Sequence, residues 1–460
     1  MTERNFNLVL PLAHKATDRR GMDTTGSSQV RSSAVSEMIG AGLRFGDVDS
    51  KITNSTPPTL TMLGIRTSTM AIRTTTTRTT TFAGRVLSAD ENNHNNVDFS
   101  FTELVQSYFD CRKHKRNTVS ALAFEQNLER NLLALYDELL DGTYTPGTSI
   151  CFVITRPKAR EVWAADFRDR IVHHLFYNRI SPRFYASFIA DSCACIPGRG
   201  TLYAAKRLES KVRSITQNWS VPAFYLKCDL ANFFVSIDKD VLFAQIAKKV
   251  TEPFWLYLAR TILFHDPRTD YEFRGKPQSI ELVPAHKRLT NHSSNLGLPI
   301  GNLSSQFFAN IYLNELDQYI KHRIGAKHYI RYVDDFLLLH HRPQWLNAAL
   351  ADINSFLPTK LNANLNPTKT ILQPIDRGVD FVGQVIMPWR RVTRKRAVNE
   401  AIRRINLTPE NELLEVANSY FGLLGQSTKS HKSRAKIANV LRWRGHTINK
   451  ELSKTYRKLP

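Results

Sequence analysis

Cysteine is scarce in this chain, and the five cysteines present are spaced in a way that excludes two common frameworks. Their number is odd, and no two of them form a C-x-x-C pair. Disulfide-rich domains use paired cysteines, and structural zinc sites commonly use C-x-x-C pairs. We therefore expect reduced cysteines, as in a cytoplasmic protein.

Long apolar runs are also missing. None approaches the roughly 20 residues that a helix needs to cross a bilayer, so we expect no membrane partner. The apolar run at residues 8–13 is too short for a signal peptide and follows no basic segment. These absences favour a soluble, cytoplasmic protein.

Acidic residues are too few to balance the basic ones. There are 41 Asp and Glu against 63 Lys and Arg, which gives a net charge of +22 and favours a polyanionic partner, nucleic acid before a membrane surface. The 460 residues exceed one compact core, so we expect two or three domains. Residues 1–98 are rich in Thr, Ser, Gly and Asn and predict a low-complexity, poorly ordered N-terminal extension.

Regular structure is predicted to begin near Ser100, because Ser100 and Glu103 have the spacing of a helix capping box. A second helix follows Ser120 and ends at Gly142. Its leucines at positions 128, 132, 135 and 139 share one face. An apolar strand is predicted at residues 150–155, followed by a basic turn with Lys158 and Arg160.

The central feature of the sequence is a pair of adjacent acids, Asp334 and Asp335, between two apolar runs in residues 329–339. These runs predict a hairpin with the acids in its turn. A solvated hairpin tip would look the same, but Asp229 ends another predicted strand. Three clustered carboxylates are what two Mg²⁺ ions need for phosphoryl or nucleotidyl transfer.

Several further segments favour contact with a nucleic acid, although each also fits a plain structural role. Arg199 lies in a Gly-rich loop that enters a helix, where backbone amides suit phosphate. Residues 266–296 are polar and predict a surface insertion. The region after residue 388 is helical and basic, with interleaved aromatics. Its candidate nucleic-acid-binding residues are Arg390, Arg391, Arg394, Lys395 and Arg396.

The order of these motifs resembles the successive blocks of a reverse transcriptase over roughly residues 100–460. The motifs are the basic turn, Asp229, GLPIG at 297–301, YVDD at 332–335, Lys369 and FVG at 381–383. The resemblance implies an α+β right-hand polymerase fold. Residues 99–222 would form the fingers with the N-terminal helices, residues 223–388 the palm with part of the fingers, and residues 389–460 a basic helical thumb.

The resemblance also implies roles for individual residues. Asp229, Asp334 and Asp335 would bind two Mg²⁺ ions, with Mn²⁺ as a substitute, and Lys369 would give a proton to the leaving pyrophosphate. Lys158 and Arg160 would hold the incoming triphosphate, and Phe234 would be the steric gate against ribonucleotides. Residues 381–386 would form the primer grip. The implied partners are a template RNA, a primer and dNTPs, with a small basic accessory protein or a second copy of the chain as open alternatives.

The segment IGNLSSQFFAN at residues 300–310 is similar to the reverse transcriptases of diversity-generating retroelements, which are bacterial and copy a template RNA with errors at adenines. Ile300 replaces the Gln usual in group II intron and retroviral enzymes, and Gln306 replaces a common Pro; both are expected to contact the dNTP. The N-terminal hundred residues are longer than expected for that group. Two alternatives therefore stay open: a phage-defence or abortive-infection reverse transcriptase, and an inactive RNA-binding scaffold.

Overall fold

The computed structural model describes residues 99–113, 118–156 and 158–456. The predicted low-complexity extension at residues 1–98 lies outside these described residues. Helices and strands both contribute extensively to the described chain, which is the predicted α+β class. All five cysteines are free thiols. No helix of the described part is long and apolar enough to cross a membrane.

Three helices open the described chain: α1 (Phe101–Arg112), α2 (Val119–Glu125) and α3 (Leu128–Leu140). The predicted capping box is present, since Ser100 Oγ accepts from the Glu103 amide and Glu103 Oε2 accepts from the Ser100 amide. The prediction of a single helix after Ser120 is wrong, because the helix is interrupted at Asn127, whose φ and ψ are −132° and 50°. Three of the four predicted leucines, at 132, 135 and 139, are buried.

An outer sheet follows, in the strand order β2-β1-β4. Strands β1 (Ser149–Ile154) and β2 (Arg160–Ala164) are antiparallel, and β4 (Tyr271–Arg274) pairs parallel to β1. The segment 266–296 is therefore more than a surface insertion, because it completes this sheet. The helices between and around these strands are α4 (Phe167–Tyr185), α5 (Thr201–Ile215), α6 (Phe233–Ser236), α7 (Lys239–Ala247) and α8 (Pro253–Phe264).

The central sheet has the order β5-β6-β3-β7 and is antiparallel throughout. Its strands are β3 (Phe224–Asp229), β5 (His328–Tyr332), β6 (Asp335–His340) and β7 (Ile371–Pro374). Helices α9 (Leu303–Gln318), which continues into one wider turn at Tyr319–Arg323, and α10 (Pro343–Leu361) carry buried apolar residues of the same core. The apolar runs of β5 and β6 are buried, so this sheet is a rigid base for the residues at its edge.

The C-terminal part begins with a three-stranded sheet of order β10-β9-β8. Its strands are β8 (Val379–Phe381), β9 (Gln384–Met387) and β10 (Arg390–Thr393). A helical bundle follows, consisting of α11 (Lys395–Leu407), α12 (Glu410–Gly425) and α13 (His431–Trp443), and a small hairpin of β11 (Thr447–Ile448) and β12 (Thr455–Tyr456) ends the described chain. The three helices bury an apolar cluster of their own, as the predicted helical region requires.

Candidate active site

Strand pairing brings the three predicted acids together. Asp229 is the last residue of β3 and lies directly opposite Asp335, the first residue of β6. Asp334 lies in the turn before Asp335. The turn therefore contains Val333 and Asp334, whereas the sequence predicted both acids in it. Val333 has a φ of 56°, a left-handed conformation that is costly for a β-branched residue and must be stabilised by its surroundings.

A buried ion pair stabilises this turn from below. Arg331 on β5 and Asp317 on α9 are 1% and 0% exposed. Arg331 Nε donates to Asp317 Oδ1 (2.8 Å) and Nη2 to Oδ2 (2.7 Å), and Nη1 donates to the Val333 carbonyl (3.0 Å). The remaining guanidinium hydrogens go to Asn310 Oδ1 and Ser192 Oγ. All five donors of Arg331 are thus satisfied, and one of them restrains the strained residue beside Asp334.

The acids repel one another in a buried setting. Burial, and then the charges of Asp229 and Asp335, hold the pKa of Asp334 well above its usual range. Burial also raises the pKa of Asp335, although Lys227 opposes this rise. Lys227 Nζ lies 3.1 Å from Asp335 Oδ2, and Lys369 Nζ donates to Asp229 Oδ2 at 2.5 Å. These two lysines supply the positive charge that the cluster needs in this conformation.

A cavity of about 450 Å³ opens above the acids. Seven of the residues predicted for catalysis or nucleotide binding line it, namely Lys158, Arg160, Phe234, Ile300, Asp334, Asp335 and Lys369. Asp229 is 3% exposed and lies beneath Lys369 rather than on the cavity wall. The predicted primer grip also reaches the cavity, through Val382 and Gly383 in the turn between β8 and β9 and through Gln384, the first residue of β9.

The outer sheet and the GLPIG turn form one wall of this cavity. The Trp163 amide donates to the Ile300 carbonyl at 2.8 Å, which fixes the turn against β2. Gly301 has a φ of 137°, and a Cβ there would lie 2.8 Å from the Trp163 carbonyl oxygen, so only glycine fits. Both adjacent phenylalanines line the cavity, but Phe233 is 3% exposed and belongs to the core, whereas Phe234 is only partly buried.

Two residues that were predicted to contact a nucleotide or nucleic acid are absent from the cavity lining. Gln306 is on α9 and is absent from the cavity lining, so its predicted contact with a nucleotide has no support in this arrangement. Arg199 Nη1 donates to the carbonyl oxygens of Ile189 and Ser192, both at 2.8 Å, and thereby fixes its own loop. Its contact with nucleic acid stays a prediction.

The basic C-terminal residues divide into two groups. Arg390, Lys395 and Arg396 are exposed, and their contact with nucleic acid stays a prediction. The same prediction for Arg391 and Arg394 has no support in this arrangement, because both side chains are buried. Arg391 pairs with Glu209 at 2.5 Å and Arg394 pairs with Asp380, so both guanidinium groups already have partners inside the chain.

Aromatic residues of the same region divide in a similar way. Tyr420 and Phe421 are 0% and 1% exposed in the bundle core. Trp389 and Trp443 are 67% and 86% exposed and could stack on a base. The alternation of basic and aromatic residues in the sequence therefore did not distinguish the residues of the core from those of the surface.

Sequence reasoning missed two lysines of the site. Lys227 precedes Asp229 by two positions on β3, so both side chains project from one face of the strand. That spacing was a signal in the sequence. Lys287 also lines the cavity, but it comes from the segment predicted as a surface insertion. Its position follows only from the way this segment folds back.

A comparison with protein families identifies the family. The family described as reverse transcriptase (RNA-dependent DNA polymerase) matches residues 156–386, which is half of the chain. The chain belongs to the reverse transcriptase family. The matched segment contains the three acids, the GLPIG turn and Lys369. By family and fold, the chain is thus an RNA-directed DNA polymerase of the α+β right-hand class.

Individual relatives are distant. Protein YkfC of Escherichia coli (strain K12) is 22% identical over 341 residues, which are 66% of this chain and 82% of that protein. A telomerase structure from Candida albicans, with a fragment of telomeric RNA, aligns with a TM-score of 0.37 and 13% identity over 64% of this chain. An apo telomerase from Candida tropicalis aligns with a TM-score of 0.38 and 13% identity over 53% of it. This chain spans about half of each telomerase chain, 55% and 54%.

Reverse transcriptases generally use divalent metal ions, and the donor set here has the chemistry for Mg²⁺. All three acids offer carboxylate oxygens, the ligands that Mg²⁺ prefers. Asp335 Oδ1 is buried without a hydrogen-bond partner in the described chain, and burial, followed by the charges of Asp229 and Asp335, raises the pKa of Asp334. In this conformation no three His, Cys, Asp or Glu side chains of the described residues are grouped closely enough to hold a metal ion, and lysines engage Asp229 and Asp335.

Proposed function

We propose that this chain synthesises DNA on an RNA template at the cavity lined by Asp334 and Asp335, with Asp229 directly behind them. The observation that carries the proposal is the direct pairing of Asp229 with Asp335 in the central sheet, with Asp334 in the adjoining turn. Their cavity is also lined by Lys158 and Arg160, for which the described residues provide no ion-pair partner. A cluster of acids beside unpaired cations suits the transfer of a nucleotide from a triphosphate.

Each residue has a distinct task in this proposal. Asp229, Asp334 and Asp335 would hold two Mg²⁺ ions, which when bound lower the pKa of the primer 3′-hydroxyl and stabilise the charge on the leaving pyrophosphate. Lys158 and Arg160 would orient the triphosphate, since Arg binds phosphate oxygens bidentately and Lys provides a point charge. Lys369 would leave Asp229 and give its proton to pyrophosphate. Phe234 would exclude a ribose 2′-hydroxyl.

We further propose that the enzyme belongs to a diversity-generating retroelement and copies adenines inaccurately. Ile300, whose position carries Gln in group II intron and retroviral enzymes, lines the cavity. An aliphatic side chain cannot form the hydrogen bonds of a glutamine, so it would test the geometry of the incoming nucleotide less strictly. A defence-type enzyme would share the three acids and would differ in its product.

Primer extension tests the polymerase proposal. Purified protein with Mg²⁺, an RNA template, a DNA primer and dNTPs is expected to make labelled DNA. Asp334→Asn is expected to lower the rate about 100- to 1,000-fold, because removal of one charge-stabilising group costs about 2.7–4 kcal/mol. The control is Asp352→Asn, since Asp352 is exposed on α10. Equal rates for both variants would refute the site.

Sequencing of the cDNA tests the subtype. Errors are expected to concentrate at template adenines, and Ile300→Gln is expected to reduce them, whereas Ile300→Leu keeps an aliphatic side chain and is expected to retain them. Faithful copying, or DNA made without regard to the template, would refute the retroelement proposal and favour a defence-type reverse transcriptase.

A further inference from the structure

The segment that carries Lys287 is fixed in place on both sides of this lysine. Val283 is 1% exposed and Leu289 is 4% exposed, so both ends of the intervening turn are anchored in the protein. Arg268 Nη1 donates to the Leu289 carbonyl at 3.0 Å and to the His292 carbonyl at 2.7 Å. Lys287 therefore projects from a well-defined turn rather than from a loose surface loop.

A buried carboxylate joins this turn to the strand of the predicted triphosphate-binding residues. Glu161 is 3% exposed, and its Oε1 accepts a hydrogen bond from the Leu289 amide. Glu161 follows Arg160 directly on β2, and Leu289 lies two positions after Lys287. The contact thus brings the turn of Lys287 beside the strand end of Arg160.

The side chain of Lys287 lines the same cavity as Lys158, Arg160 and Lys369. Burial, followed by the charges of Lys369 and Arg160, lowers the pKa of Lys287, while Asp229 and Asp334 oppose this effect. Burial also lowers the pKa of Lys158, with Lys369 and Lys287 as the next causes. Four cations are therefore close enough to repel one another at one side of the cavity.

This concentration of positive charge is not neutralised within the described chain. Lys369 pairs with Asp229, but no carboxylate of the described residues lies within 4.0 Å of the ammonium group of Lys158 or Lys287. Lys287 is also exposed to the open cavity. Repulsion of this kind is costly unless a polyanion binds, and a triphosphate carries several negative charges in a compact chain.

We propose that Lys287 is a third cationic contact, with Lys158 and Arg160, to the β- and γ-phosphates of the incoming nucleotide. This inference rests on the proposed polymerase function, in which the α-phosphate lies at the acids. The outer phosphates then extend toward the cations that no acid neutralises. Lys287 is a nucleotide-binding residue that this chain supplies from the segment between the central-sheet strand β3 and the GLPIG turn.

Single-nucleotide incorporation by the full chain tests the proposal with Lys287→Gln. The KM for dNTP is expected to rise about tenfold, because a hydrogen bond to a charged group is lost, while kcat changes little. The inhibition constant of pyrophosphate is expected to rise in parallel, since pyrophosphate represents the same outer phosphates. Lys287→Arg keeps the charge and is expected to restore most of the affinity.

The matched control is Lys276→Gln, because Lys276 is an exposed lysine of the same segment and does not line the cavity. Lys287→Gln with the KM of the control would overturn the inference. Weaker binding of the template and primer, measured by fluorescence anisotropy, with an unchanged KM for dNTP would overturn it in favour of a nucleic-acid contact. A wild-type chain that makes no DNA would refute the polymerase function itself. That outcome is distinct from an active chain in which Lys287→Gln leaves the KM for dNTP unchanged.

Discussion

The ion pair of Arg331 and Asp317 offers a sharp test of how the turn beside the acids is stabilised. Both groups are almost fully buried, and Tyr329 also donates to Asp317 Oδ1 at 2.7 Å. Asp317→Asn keeps the shape of the side chain but leaves the buried charge of Arg331 without a counter-charge. Breaking a buried pair in this way costs about 3–5 kcal/mol, which is a large part of the stability of a typical domain.

Urea unfolding of the full chain, followed by tryptophan fluorescence, measures this loss. The midpoint is expected to fall for Asp317→Asn while the slope of the transition stays unchanged. The double substitution Asp317→Leu with Arg331→Met removes both charges, and we expect it to cost less than Asp317→Asn alone, because no buried charge is then left unpaired. The rate of DNA synthesis is expected to fall in both variants, since the restraint on the Val333 carbonyl is weakened or lost.

The control for this experiment lies on the same helix. Glu315 pairs with Lys248 at 3.0 Å on the surface, and Glu315→Gln is expected to cost about 0.2–1 kcal/mol. If Asp317→Asn unfolds at the same urea concentration as Glu315→Gln, the reasoning on the buried pair is refuted. If the double variant loses as much stability as Asp317→Asn, the hydrogen bonds of Arg331, rather than its charge, are what stabilises the fold here.

Three further predictions concern the cavity and the central sheet. Gly301→Ala is expected to destabilise the chain by about 1–3 kcal/mol, because the Cβ would meet the Trp163 carbonyl; Gly425→Ala, with open space around its Cβ, is the control in urea unfolding, and equal midpoints would contradict the clash. Phe234→Ala is expected to raise incorporation of ribonucleotides about 10- to 100-fold in primer extension, and unchanged discrimination would exclude Phe234 as the steric gate. Burial and then neighbouring lysines lower the pKa of His328 to about 4; the unfolded chain therefore binds the proton first, and stability falls by about 1–3 kcal/mol as the pH drops from about 6.5 to about 4. His328→Gln should flatten this pH dependence of the urea midpoint, and an unchanged slope would contradict the assignment.

Local patterns predicted the elements that carry the acids. The apolar runs on either side of Asp334 and Asp335 form the expected hairpin, because short continuous apolar runs are typical of strands that are buried on both faces. The capping box at Ser100 also predicted its helix correctly. The break at Asn127 was missed because all four predicted leucines lie after it, so their period carries no information on the residues before it.

Contacts between segments distant in sequence were harder to predict. Arg391 and Arg394 belong to a basic stretch that favoured nucleic acid, but charge alone does not reveal whether an intrachain acid reaches each residue. Glu209 and Asp380 do reach them. Lys287 is exposed, as its polar segment predicted, but nothing in the sequence indicated the anchors on either side that bring this lysine to the cavity.

The amino-acid sequence by itself determined the three acids, the order of the motifs and hence the reverse transcriptase family, since these depend on residue identity and local periodicity. The tertiary structure decided which charges are available for a substrate. Asp229 and Asp335 are neighbours because their strands pair. The charge of Arg331 is used inside the protein, because it pairs with Asp317. Lys287 joined Lys158 and Arg160 through the fold of a polar segment. The physical reason is that the partner of a charged group is set by distance in space, which no local pattern encodes.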